Sequence, residues 1–358
     1  MGHRETTRGA AQAPLTPEFP ILRSILLLMT LFCSSPLVQA QTVSDLRALA
    51  QAQLGHIEAV GPGELSSARV QLGQSLFWDP RLSLDGQTSC ASCHIQENAG
   101  SDPRPLSVNA RGGLTSLHSV TVFNAQDATA GLRWFADRPT GADQAIGSIT
   151  GSMGFANRDD ILPVLRAAGY EPAFSQAFAD ETQPLSTAAY GEALEAYQRT
   201  LRTPAPFDAW LQGDEQAMSA LQREGLQQFL ALGCASCHNG PLLGGGSLQR
   251  FGVFTDYAPL TGSPAPHAGL ASVSGNAEDQ FRFRVSPLRN VAATPPYFHD
   301  GSVPELTRAI DIMARTQLGL SLPPDVIASL EAFLHSLTGP QPVNFAPPAS
   351  WPDALPTP

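Results

Sequence analysis

Five residues occur twice in this chain, and they leave few folds open to it. Cys90-Ala91-Ser92-Cys93-His94 returns as Cys234-Ala235-Ser236-Cys237-His238. Two thiols two residues apart reach the two vinyl groups of one haem and form thioethers. The histidine that follows directly then sits under the iron and supplies an axial nitrogen. A lone CxxC would also suit a redox dithiol or half of a zinc site. Here the histidine follows directly both times, and a shared zinc site would need loops from two distant stretches to converge. The reading is covalent attachment of two c-type haems, bound by Cys90, Cys93 and His94 and by Cys234, Cys237 and His238.

Cysteine use agrees with this. The chain holds five cysteines, and Cys33 is the one outside the motifs. Residues 1–40 read as a cleavable signal peptide. Arg4, Arg8 and Arg23 supply positive charge, Ile25 to Phe32 is apolar except for Thr30, and Val38-Gln39-Ala40 offers small residues before the cut. The run is short for a bilayer span, the alternative being an uncleaved anchor. A periplasmic protein beginning at Gln41 is expected. It keeps no cysteine for disulfides.

Hydrophobic residues make up 42% of the chain and charged residues 15%, enough apolar content for a packed core. There is no lysine, and the formal net charge is −11. An acidic surface argues against nucleic acid and anionic lipid as partners. It suits a basic protein partner, and it equally suits plain solubility.

The two motifs each follow a short amphipathic stretch. Arg69 to Phe77 precedes the first, and Arg223 to Leu230 precedes the second. Positions 90 and 234 are a small domain apart, too far for a solenoid repeat. Each half also closes on a helical apolar stripe: Tyr190, Leu194, Tyr197 and Leu201 in the first, Ile327, Leu330, Phe333, Leu334 and Leu337 in the second. Thr203-Pro204-Ala205-Pro206 marks a boundary, Pro323-Pro324-Asp325 opens the last helix and Gly339-Pro340 stops it. Strand signals are weak. The expected class is mainly α, with two tandem class-I cytochrome c-like domains, each with one covalently bound c-type haem. The expected divisions are a signal peptide (1–40), an N-terminal domain (41–202), a C-terminal domain (203–340) and a Pro-rich extended tail (341–358).

The sixth iron ligand decides what each haem does. Methionine raises the potential and blocks small ligands; an open site admits peroxide. Beyond the signal there are three methionines. Met218 precedes the second motif at what reads as a surface helix start. Met313 lies 75 residues past His238 and fits as its haem's sixth ligand. Met153, in Gly151-Ser152-Met153-Gly154-Phe155, is a further candidate for the first haem. Of the other histidines beyond the signal, His118 and His299 are the better functional candidates.

Over residues 64–340 the chain resembles the bacterial di-haem cytochrome c peroxidase family, which includes the MauG-type enzymes. The resemblance rests on Leu76-Phe77-Trp78-Asp79-Pro80-Arg81-Leu82-Ser83, on Ala205-Pro206-Phe207-Asp208, on Pro287-Leu288-Arg289-Asn290-Val291, on Thr294 to Gly301 and on Ile312-Met313, together with both CASCH motifs. It implies that the haem held by His238 and Met313 takes up electrons and that the His94 haem reduces hydrogen peroxide. The donor would be a small cytochrome c or copper protein. Trp134 matches a tryptophan between the haems. Thr294 and Pro296 match two carbonyl donors of a calcium ion between the domains, but the asparagine expected near 118 is His118. A homodimer is an assembly the resemblance leaves open.

Two departures bear on the first haem. Where the family carries a capping histidine, an ungapped alignment of Pro105 to Asn124 places Ala110. Where it carries a distal glutamate, Gly151 to Phe155 has no carboxylate. Peroxide cleavage needs a group to move a proton between the two oxygens. The candidates are Gln144, Arg138, His118 or an ordered water, with Arg138 alternatively paired to a haem propionate. The leading expectation is a peroxidase. The alternatives are MauG-like oxidation of a partner side chain, against which Met313 argues because MauG has tyrosine there, and a non-catalytic di-haem electron carrier.

Overall fold

A computed structural model describes residues 42–263 and 265–349. The expected signal peptide, 1–40, lies outside the described residues, as do residues 350–358 of the expected tail. The described chain is mostly helical with little sheet. Its one ladder pairs Leu248–Arg250 with Arg282–Arg284 antiparallel, Gln249 opposite Phe283.

Helix starts follow local chemistry. Ser67 caps Ala68–Trp78 by accepting from the Val70 amide. Thr140 and Asp143 form a reciprocal box at Gly141–Thr150. Ser186 caps Thr187–Arg199, and Ser219 with Gln222 boxes Ala220–Ala231. Each cap satisfies amides that no carbonyl within the helix can reach. Pro324 opens the last helix, Pro324–His335, where its missing N–H costs nothing.

Two buried clusters form, each around one helix crossing. In the first, Ala68–Trp78 crosses Thr187–Arg199 at Gly73, where a Cβ would collide with the Ala193 carbonyl. In the second, Ala220–Ala231 crosses Pro324–His335 at Gly225, where a Cβ would collide with the Ser329 carbonyl. Only glycine lets the backbones close that far. Four residues on, Phe77 meets Tyr197 at 5.4 Å and Phe229 meets Phe333 at 5.2 Å. The repeat visible at CASCH therefore extends to the whole crossing, Gly-x-x-x-Phe against its partner helix.

A second correspondence joins the halves. Asn124 and Asn290 both adopt positive φ, 57° and 60°. Their amides bind the carbonyls of Leu201 and Leu337, which close the two apolar stripes. Both side chains donate to the single Thr203 hydroxyl, at 2.7 and 2.8 Å. Close by, Arg289 grips Asp208 with two buried hydrogen bonds of 2.6 and 2.9 Å. The same carboxylate accepts from the amides of Ile57 and Ala205.

Some placements were not visible in the sequence pattern. Leu46 and Ala50 of the Val43–Gln53 helix, and Leu54 just after it, pack into the second cluster, although they precede the first motif. Met218 is no surface residue: it sits one position ahead of the Ser219 cap, 1% exposed, filling the second core. Residues 341–349 carry neither helix nor strand, as their prolines require, yet they are not free. Phe345 is fully buried in the first cluster.

Candidate functional site

Each CASCH motif forms a single 3-10 turn, Cys90–Ser92 and Cys234–Ser236. The turn carries the histidine inward, and its amide bonds the carbonyl of the first cysteine. His94 Nδ1 lies 3.0 Å from the Gly100 carbonyl oxygen, and His238 Nδ1 lies 3.1 Å from that of Leu243. A carbonyl can only accept, so both Nδ1 atoms carry the proton and both Nε2 atoms keep a lone pair. That tautomer is the one an axial ligand needs. Burial pushes both imidazoles below their ordinary pKa, which keeps them neutral. Burial likewise raises the Cys90 thiol to about 12 and the Cys234 thiol to about 11, so neither is a thiolate at neutral pH. Among the described residues no three His, Cys, Asp or Glu side chains gather as a metal site, so the zinc alternative lacks its ligands.

Orphaned polar atoms supply an independent fit test for haem. Arg284 is 6% exposed, and its Nη1 has no partner. Its Nε donates to the Arg133 carbonyl at 2.8 Å, and burial alone lowers it to about 10. It stands two residues before Ser286, whose backbone faces His238. A buried guanidinium with no carboxylate wants an anion, and haem brings two propionates. Tyr190 is fully buried with an unpartnered hydroxyl, within electrostatic reach of Cys90. The residues present fit two haems.

Met313 closes the Leu306–Met313 helix, half-buried against the second core. Directly after it the winding loosens to a π segment, Ala314–Leu318. Such segments recur at functional positions. Met153 is 2% exposed and belongs to the first core.

Trp134 lies where the two halves meet. It is the third residue of a hairpin closed by Leu132 and Arg138. His299 is the third residue of a matching hairpin closed by Tyr297 and Val303. Both hairpins have positive φ at the second and fifth residues: Arg133 and Ala136, Phe298 and Gly301. Trp134 Nε1 donates to the His118 carbonyl at 2.9 Å, and its own carbonyl accepts from the Arg284 amide.

His118 is fixed in this wall. Its amide donates to the His299 carbonyl, and its Nδ1 faces the carbonyls of Arg104 and Pro105, each at 3.2 Å. Its ring is thus held by its own loop. This also bears on the calcium that the resemblance implies. Thr294 and Pro296 flank the Pro295 carbonyl, which already accepts from Asn98 Nδ2 at 3.0 Å. His118 brings a nitrogen where a hard cation wants oxygen. The two implied carbonyl donors, Thr294 and Pro296, are therefore not joined by a side-chain oxygen from position 118.

Arg138 pairs with Asp137, at 3.2 Å, and crosses Gly147 so closely that a Cβ there would lie 2.8 Å from its Nε. Gln144 sits half-buried in the first turns of the same helix, Gly141–Thr150. The two departures from the family pattern fall together. The Ala110 amide donates to the Ser152 carbonyl at 2.8 Å, and a Cβ on Gly154 would lie 3.2 Å from that of Ala110. Arg111, which the sequence reading passed over, ties this wall by donating to the carbonyls of Gly154 and Phe155 at 3.0 and 2.8 Å. Asp102 was missed too. It is fully buried under a fork from Arg104 and a 2.6 Å hydrogen bond from Ser107. The signal was Asp-Pro-Arg, which Asp79-Pro80-Arg81 repeats with the same fork.

Residues 67–216 match the family model described as di-haem cytochrome c peroxidase. The chain is 38% identical over 315 residues to the cytochrome c551 peroxidase of Pseudomonas aeruginosa, covering 86% of this chain and 90% of that protein. It is 30% identical to the methylamine utilization protein MauG of Methylophilus methylotrophus, covering 77% of this chain and 84% of that protein. Among solved structures it is similar to a MauG-like protein associated with microbial copper homeostasis. The TM-score is 0.70 at 28% identity, over 82% of this chain and 97% of that one.

Proposed function

Because the chain belongs to the di-haem cytochrome c peroxidase family, we propose that it reduces hydrogen peroxide to water in the periplasm with electrons from a small redox protein. Two c-type haems in two tandem cytochrome c-like units would supply the one-electron steps and the iron that meets peroxide. Each turnover takes two electrons and two protons and yields two waters. His238 and Met313 would hold the iron that takes electrons in, the thioether shutting out small ligands. His94 would hold the other iron, the one that would supply the chemistry of peroxide reduction. Trp134 bridges the two, and the observation that carries this reading is its position. Its indole N–H is anchored to His118 beside the first site and its carbonyl to Arg284 beside the second.

The proton work falls to residues around the first site. Arg138 and Gln144 are the chain's candidates there, and the backbone carbonyl of His118 orients Trp134. The export-type leader sequence supports the periplasmic location. Family membership favours an enzyme over a pure electron carrier.

A second reading is oxidation of a partner protein's side chain. One observation favours it: the likeness to the methylamine utilization protein MauG spans most of both chains. One assay separates the two. The half-reduced protein is mixed with peroxide and a reduced small cytochrome c. Two donors oxidised per peroxide supports the peroxidase. No turnover, with both haems low-spin throughout, contradicts it. A bound partner that gains oxygen or a cross-link supports the second reading.

A further inference from the structure

We infer that the C-terminal strap is a working part of the first haem site, with Phe345 as a positioning residue for His94; this rests on His94 being an iron ligand, as proposed above. After Gly339 the chain leaves the second core and runs onto the first. Its residues are polar, proline or exposed, Val343 being 89% exposed, apart from half-buried Ala346 and one aromatic residue. Phe345 is fully buried. Side chains of the first half pin the strap on both sides of that residue. Gln74 Nε2 donates to the carbonyls of Asn344 and Ala346 at 3.0 and 2.8 Å. The Tyr197 hydroxyl donates to the Asn344 carbonyl at 3.0 Å, and Asn344 Nδ2 donates to the Thr200 hydroxyl at 2.7 Å.

The ring of Phe345 stands between the two supports of the His94 imidazole. On one side it meets Phe77 at 5.9 Å, and Phe77 lies against His94 at 6.2 Å. On the other it meets Phe123 edge-on at 4.7 Å. Phe123 presses on Gly100, where a Cβ would lie 3.2 Å from its ring. The Gly100 carbonyl is the acceptor that holds His94 Nδ1. Trp78 closes the box at 5.4 Å. One side chain, contributed from beyond the second half, thus backs both the tilted ring contact and the hydrogen bond that hold the imidazole. Groups that orient a ligand tune what the ligand does.

The test uses the full-length protein with both haems. Phe345→Ala is compared with the unsubstituted chain by resonance Raman of the ferrous His94 haem. The expected result is a shifted or broadened iron–histidine stretch and a changed midpoint potential for that haem. The His238 haem keeps its spectrum. Phe345→Leu, which restores most of the apolar volume, returns the band toward its original position. An unchanged stretch and potential in Phe345→Ala overturn the inference, even if stability falls. Should Phe345→Ala fail to retain the first haem, Phe345→Leu is read alone: an intermediate shift supports the inference, and an unchanged band overturns it. If a sixth ligand removes the iron–histidine band from the unsubstituted protein, the midpoint potential of the His94 haem is read alone, and an unchanged potential in Phe345→Ala overturns the inference. A first-haem spectrum left unaltered by His94→Gly would instead mean that the underlying ligand assignment has failed.

Discussion

The indole of Trp134 meets the imidazole of His299 edge-on, with ring centroids 6.2 Å apart and planes at 78°. The two residues hold the same place in two hairpins of the same shape. The halves of the chain therefore touch through equivalent positions, one aromatic and one titratable. The hydrogen bond to His118 fixes the indole's orientation. Trp134→Phe keeps a ring and loses that bond, so it should destabilise the protein by about 1 kcal/mol. Both haem spectra should be retained, and electron transfer between the haems, followed by stopped-flow absorbance, should slow.

His299 is 2% exposed and held to about 4, chiefly by burial, with His267 adding to the effect and Asp300 opposing it. Its folded pKa lies below the ordinary histidine value of about 6.5. The unfolded chain therefore binds the extra proton first, and stability falls as pH drops from about 6.5 to about 4. The loss is about 3 kcal/mol at the lower end. Denaturant midpoints measured across this window should show it, and His299→Phe should flatten that part of the curve.

Gly73 and Gly225 stand where a Cβ would strike a backbone carbonyl of the crossing helix. Neither carbonyl can yield without parting the helices. Gly73→Ala and Gly225→Ala should each cost about 3 kcal/mol, the upper end for overpacking. Chemical denaturation measures the loss. Protease cleavage should report it in the first half for Gly73→Ala and in the second half for Gly225→Ala.

The Asp208–Arg289 pair is buried on both sides, with side chains 3% and 1% exposed. Asp208→Asn leaves a guanidinium in the core without its counter-charge, and should cost about 3–5 kcal/mol. A loss within that range in urea titration supports the reading; a neutral effect contradicts it.

Both haem motifs were legible because haem attachment is encoded within five residues, and no tertiary contact is needed to see it. The closing helices were legible for the same reason: their stripes are local. Met313 is a ligand candidate from its spacing after His238 and from the resemblance, but nothing in its neighbours foretold the π segment that follows. What stayed hidden depends on long-range contacts. The role of Gly73 exists only once Ala193 lies across it. The burial of Phe345 needs a box built from Phe77, Trp78 and Phe123. Ala110 and Gly154 are separate departures in sequence and one wall in space.

Met313→Leu should lower the potential of one haem by well over about 100 mV through loss of the thioether, and leave the other unchanged. A spectroelectrochemical titration with two unchanged waves removes Met313 from the ligand set.

The central claim is that electrons held at the His238 haem are spent on peroxide at the His94 haem. The most direct measurement adds one equivalent of peroxide to the one-electron-reduced protein and follows the ferrous band of the His238 haem. The account predicts that this band disappears together with the peroxide, and more slowly in Trp134→Phe. A band that persists while peroxide is consumed would contradict it.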